Sequence, residues 1–380
     1  MEWDPASTLL LACASPLDSQ KPIRAHIAKR PDWPAVMRLA ATHRLLPFLA
    51  ARCLKEVGLP PEIRATLEAA LATQFARFER LKREQVHLLG VLADAGIAAL
   101  PLRGGRLSER LYGNTVPRPS DDIDLLLHRA ELDRAGRRLE QEGYALLSQR
   151  RPAEAAAFLR AGGACTLQHP TSRHQADLLW TDVKPYLNTH MTLPNLLPHT
   201  VPGDDGIAQQ LATEMLLITL CIHGTKHLWS RHLWTCDVAT LVARHPALDW
   251  ERVLQLAPAF RARRMLLAGL HWAHELFGIE FPECVHTALR ADHRPRVFCE
   301  VLLQKFNASP DWAPADDGER ARLHLRVLDR TMDRARYIAL RTFTPSPNDW
   351  QSLPLPGLLF PLYHLTRPIR LIYRRMRRKP

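Results

Sequence analysis

Asp122 and Asp124 flank a single isoleucine in the run Asp122-Ile123-Asp124-Leu125-Leu126. On a strand, residues i and i+2 face the same way, about 7 Å apart at a rise of roughly 3.3 Å per residue. Both carboxylates then share one face, while Ile123 and Leu125 point into the core. Two anionic groups at that distance repel unless cations lie between them, and a pair of ions roughly 3.5–4 Å apart suits the spacing. Mg²⁺ is the favoured ion, with Mn²⁺ as a substitute, because it takes oxygen ligands and fills its shell from phosphates. A third acid, Asp177, stands between Ala176 and Leu178 in a second apolar-acid-apolar pattern. If its strand pairs with the first, Asp177 completes the site and can accept the proton of an attacking hydroxyl. Asp182 is its substitute under another register. Asp121 alternates to the opposite face and reads as a turn cap.

A complementary element precedes these acids. Leu102-Arg103-Gly104-Gly105 follows a short apolar run, and Asp122 lies seventeen residues beyond Gly105. Two glycines between a strand and a helix allow close backbone approach, and the amides and dipole of a helix N-terminus attract phosphate oxygens. Further on, His223, Lys226 and His227 fall at i, i+3 and i+4 on one helix face. Two readings stand for that face: Lys226 reaches a triphosphate with His223 lining the nucleotide cleft, or the helix is half-exposed and packed by Leu216 and Leu220. The run His223-Gly224-Thr225-Lys226-His227 lacks the glutamate of a zinc-protease helix.

The elements that must hold these residues alternate in period. Residues 1–93 read as helical, with a long amphipathic run from Glu62 to Ala93 that carries Leu67, Leu71, Phe75, Phe78 and Leu81 on one face and ends at Gly96. Strand-like runs at 97–102, 122–127, 144–147, 165–169 and 175–180 are interleaved with helical stretches at 105–112 and 129–142, the second with Leu132, Ala135 and Leu139 at helical spacing. From about Gln209 the pattern is helical again, with a Pro-rich loop at Thr344-Pro345-Ser346-Pro347. The fold class expected is α+β: a small mixed-sheet core over 94–182, an N-terminal helical region over 1–93, a helical domain over 183–280 that closes the cleft, and a C-terminal helical region over 281–380.

A net charge of +12 is unevenly spread: 365–380 holds seven basic residues and no acid, which leaves +5 for the rest. The body thus suits an anionic small substrate and argues against a nucleic acid, while the basic tail suits an anionic membrane, an acidic partner or a solvated helix. Seven cysteines without a CxxC pair read as reduced thiols. The absence of a signal-peptide pattern and of a long apolar stretch predicts a cytoplasmic protein without a transmembrane segment.

The motifs together resemble a bacterial nucleotidyltransferase family of the polymerase-β-like superfamily. Leu102-Arg103-Gly104-Gly105, Leu111-Tyr112-Gly113 and Arg118-Pro119-Ser120-Asp121-Asp122-Ile123-Asp124 are similar to its L-K-G, L-Y and R-x-x-x-D-[IL]-D elements. Asp177-Leu178-Leu179-Trp180 resembles its D-L-H-W strand, and His223 to Trp229 with Trp234-Thr235-Cys236-Asp237 its H-x-x-K-H-x-W and W-x-x-D helices. The resemblance implies Mg²⁺-dependent transfer of a nucleoside monophosphate from an NTP such as ATP to an acceptor. Asp122, Asp124 and Asp177 would be the catalytic metal ligands, and Arg103, Gly104, Gly105, Arg118, His223 and Lys226 would bind the nucleotide. Three departures stand out: Arg103 replaces the family's lysine, Gly105 a small or hydroxyl residue, and Leu179 the histidine of D-L-H-W, which removes one possible ligand or hydrogen-bond donor. A guanidinium can still grip phosphate as a fork. The departures also leave open a catalytically silent relative that binds nucleotide as a sensor or partner module. The acceptor is open among sugars, small molecules, peptides and protein side chains.

Overall fold

The apolar runs between residues 97 and 180 form the strands of one mixed sheet in the computed structural model, which describes residues 3–17, 20–113, 115–147, 152–203 and 206–377. The strands are β1 (Ala99–Pro101), β2 (Ile123–Leu127), β3 (Ala145–Leu146), β4 (Cys165–Gln168) and β5 (Gln175–Leu179), in the spatial order β1-β2-β5-β4-β3. β2 runs parallel to β5, and the other neighbours are antiparallel. Every residue of β2 is buried. A strand covered on both faces reads as a continuous apolar run, and an aspartate within one is conspicuous for that reason. A 3₁₀ turn at Arg129–Glu131 leads into the helix Leu132–Gln141, which packs on β4 and β5 with Leu132, Ala135 and Leu139 inward. A separate two-stranded sheet joins β6 (Thr200–Pro202) to β7 (Gln209–Leu211).

Helices dominate the remainder, so the fold is α+β with a small mixed sheet and helical flanks. The 34-residue helix Pro61–Asp94 is the longest, and Gly96, at φ +67°, turns the chain out of it toward β1. The helices Thr213–Lys226 and His232–Arg244 are buried all round over Met215–Thr225 and His232–Val242, as expected of core helices rather than surface ones. Among the described residues no helix is long and apolar enough to cross a membrane.

Packing groups the chain into two compact units, each of three segments. Unit 1 is made of Met1–Gln85, Arg103–Asp121 and Leu211–Val327; unit 2 of Val86–Leu102, Asp122–Gln210 and Leu328–Pro380. Unit 2 contains the five-stranded sheet, and unit 1 the Gly104-Gly105 turn and the core helices just described. None of the seven cysteines is in a disulfide; five are buried, with Cys165 half-buried and Cys284 exposed.

Candidate metal centre and nucleotide-side residues

The parallel register of β2 and β5 sets Asp124 directly against Asp177, with Ile123 against Ala176 and Leu125 against Leu178. Asp122 immediately precedes β2 and shares Asp124's side of the pleat. One carboxylate oxygen from each of Asp122, Asp124 and Asp177 lies within 4.8 Å of the others, and these three form the His/Cys/Asp/Glu cluster with metal-ligand spacing among the described residues. Asp182, the alternative to Asp177, lies outside it and is buried beyond the strand.

The strand is well held. Ile123, Leu125, Leu126 and Leu127 are fully buried, and the Leu102 amide donates to the Asp124 carbonyl at 3.1 Å. Asp124 itself is 8% exposed. The donor set is all oxygen, so it fits a hard divalent ion such as Mg²⁺ or Mn²⁺ rather than a thiolate- or imidazole-seeking metal.

In unit 1 the Gly-Gly turn is built against the long helix. Gly104 has φ +106°, a region open to glycine. A Cβ on Gly105 would lie 2.6 Å from the Lys82 Cα, so nothing larger than hydrogen fits there. Gln85, buried in the same helix, donates from Nε2 to the Arg103 carbonyl at 2.7 Å and accepts from the Arg106 amide at 3.1 Å. Arg103 is itself buried. The glycine in place of a hydroxyl residue is thus explained by helix packing. No local pattern announces Gln85, whose partners lie eighteen and twenty-one residues away.

Arg118 is held in a buried bidentate pair: Nε donates to Asp237 Oδ1 at 2.8 Å and Nη2 to Oδ2 at 2.7 Å. Burial works against the guanidinium's charge, but Asp237 outweighs it and raises the pKa. The Tyr112 hydroxyl donates to the same carboxylate at 2.9 Å, while burial and then Asp237 push its own pKa well up. The Ser108 hydroxyl oxygen accepts from the Arg118 amide at 2.9 Å. Tyr112, Arg118 and Asp237 all belong to the motifs singled out in the sequence, but their union across 119 and 125 residues does not show there.

His223 is buried against Trp234 and His227, with ring centroids 5.6 and 4.7 Å away. Burial first, then the charge of Arg103 and the neighbouring His227, Lys226 and Arg118, hold its imidazole well below the usual pKa, so it is neutral at pH 7. Lys226 is half-buried at the end of the same helix. Gly224 lies under the Trp229 ring, where a Cβ would come within 2.4 Å of it. Asp121 is not a turn cap: it engages Arg44 and, at 2.8 Å, Arg77. Partial burial opposes its charge, but these arginines prevail and lower its pKa.

The sheet and its carboxylate cluster define a helical α+β protein with a three-aspartate site on adjacent parallel strands. The chain matches the family of uncharacterised nucleotidyltransferases over residues 29–278 and belongs to it. Neither a curated protein nor a solved structure matches. Every candidate site residue lies within the matched range, and the basic segment 365–380 lies outside it.

Proposed function

We propose that the protein is an Mg²⁺-dependent nucleotidyltransferase of the polymerase-β-like superfamily, which transfers a nucleoside monophosphate from an NTP to an acceptor hydroxyl or phosphate. The observation that carries this reading is the meeting of Asp122, Asp124 and Asp177 within 4.8 Å in a chain of this family. Asp122 and Asp124 would hold the metal ions, and Asp177 would complete their shell. Bound divalent ions would neutralise charge on the phosphates and organise the in-line displacement. An acceptor oxygen attacks the α-phosphorus, the bond to the bridging oxygen breaks, and pyrophosphate leaves. Asp177, half-buried on the middle strand of the sheet, is the group proposed to take the acceptor's proton.

The nucleotide side is assigned to Arg103, Gly104, Gly105, His223 and Lys226. Arg103 and Lys226 supply positive charge, and His223, held neutral, supplies a hydrogen bond rather than a charge. Arg118 is occupied by Asp237, so its part is to position the segment leading to Asp122.

A second reading, nucleotide binding without transfer, draws on the Gly-Gly turn: the Arg106 amide is already satisfied by Gln85 and Gly105 is closed over by Lys82. One experiment separates the two. Each NTP is incubated with Mg²⁺ or Mn²⁺ and a small-molecule and protein extract, and pyrophosphate and nucleotidyl adducts are followed. Release that persists undiminished in Asp122→Asn or Asp124→Asn sinks the metal-site assignment. A melting shift with NTP but no pyrophosphate with any extract favours the silent reading.

A further inference from the structure

Over Tyr363–Tyr373 the helix Tyr363–Arg377 presents an aliphatic stripe outward and two arginines, Arg367 and Arg370, inward, the reverse of an ordinary surface helix. Tyr363, Arg367 and Arg370 fall at i, i+4 and i+7 and face the rest of unit 2. The Tyr363 hydroxyl donates to the Leu353 carbonyl at 2.6 Å and accepts from the Leu355 amide at 2.8 Å. Arg367 and Arg370 both pair with Asp349, which is 3% exposed, and Arg367 also donates to the Arg341 carbonyl. On the opposite side Leu365, Ile369 and Ile372, again at i, i+4 and i+7, are 66%, 68% and 61% exposed. Leu362 and Tyr373 border it and are exposed too, as are Ile338 and Phe343 on the helix Thr331–Phe343 that packs against this one.

An exposed aliphatic stripe that ion pairs hold outward marks a binding face. Its partner is narrowed by charge. From 365 to 380 there are seven basic residues and no acid, five of them crowded at Arg374, Arg375, Arg377, Arg378 and Lys379; Arg378 to Pro380 lie outside the described residues. Aliphatic side chains flanked by a dense cationic run match a bilayer interface with anionic headgroups, whereas a nucleic acid would call for stacking aromatics in place of isoleucines. Fifteen residues of helix span about 22 Å, short of a hydrocarbon core of roughly 30 Å, so the helix would lie on the bilayer and not cross it. We propose that the outward face of Tyr363–Arg377 docks the protein on an anionic lipid surface. The inference is independent of the nucleotidyltransferase reading, since this helix lies outside the family match.

The test is vesicle flotation of the full chain, with phosphatidylcholine alone and with phosphatidylcholine containing about one third phosphatidylglycerol. The wild type is expected to float with the anionic vesicles and about tenfold less with the neutral ones. The variant Leu365→Gln/Ile369→Gln/Ile372→Gln alters solvent-facing positions, so it should keep its circular dichroism and melting temperature while losing about tenfold in flotation. Arg375→Gln/Arg377→Gln/Arg378→Gln should abolish the preference for anionic over neutral vesicles. The proposal is overturned if the wild type stays in solution with anionic vesicles, or if the aliphatic variant floats as well as the wild type. It is equally overturned if that variant merely splits a wild-type dimer, which would make the face a self-contact.

Discussion

Asp124 and Asp177 are register partners across two parallel strands, so their carboxylates rise side by side from one face of the sheet. Backbone ladders on both sides of β2, to β1 and to β5, fix this relationship. A site mounted on a central strand holds its geometry better than one on loops. It also gathers three carboxylates whose oxygens lie within 4.8 Å of one another.

Divalent metal should therefore stabilise the wild type and not its aspartate variants. Mg²⁺ at 100 times its dissociation constant would contribute about 2.7 kcal/mol. The expected result is a rise in melting temperature with Mg²⁺ that disappears in Asp124→Asn and Asp177→Asn. In an NTP turnover assay Asp177→Asn should lower kcat by about 10²–10⁴-fold.

The Arg118–Asp237 pair gives a stability prediction. Arg118→Ala leaves a buried carboxylate without its counter-charge and should cost about 3–5 kcal/mol in urea unfolding. Tyr112→Phe removes one hydrogen bond to the same carboxylate and should cost about 1.5–3 kcal/mol. Equal losses in the two variants would show that the ion pair adds nothing beyond the hydroxyl.

Gly105→Ala places a methyl against the Lys82 backbone and should destabilise by about 1–3 kcal/mol. Gly105→Ser should fare no better, although it restores the commoner residue type. A serine variant as stable as the wild type, measured by thermal melting, would mean that the two helices separate at little cost.

Acid should weaken unit 1 through its buried imidazoles. His43 stacks on His232 with ring centroids 3.9 Å apart, bonds the Pro310 carbonyl through Nε2 at 2.8 Å, and accepts the His232 amide at Nδ1. Burial lowers the pKa of both rings, followed for His232 by the charge of His43; His223 is lowered likewise. Folded-state values below the ordinary 6.5 mean that the unfolded chain takes up these protons first. Stability is then flat above about pH 6.5 and falls as pH drops through that value toward the folded-state pKa values. Urea midpoints at about pH 7.5 and 5.5 should differ accordingly, and His232→Phe should reduce the difference.

What could be read from the sequence was local in character. Ile123 and Leu125 against Asp122 and Asp124 follow from the two-residue period of a strand, and Leu132, Ala135 and Leu139 from the helical one. The sheet's β1-β2-β5-β4-β3 order, and with it the pairing of Asp124 with Asp177 instead of Asp182, depends on which strands meet, and residue spacing carries no such information. The same limit hides Gln85 under the Gly-Gly turn and Asp237 against Arg118. The helix Tyr363–Arg377 shows its period plainly, but which of its faces is covered is decided by Asp349 and Leu353, which belong to other elements.

The interleaving of the two units bears on how the protein is made and cut. A ribosome delivers both strands of the aspartate site before residue 180, yet the piece that completes that unit, Leu328–Pro380, arrives last. The opening segment Met1–Gln85 must likewise wait for Leu211–Val327. A clone trimmed to the bounds of the family match, 29–278, would truncate the unit holding the core helices and strip the unit that contains the sheet of its final segment. Expression of the whole chain is the sound starting point for biochemistry on this site.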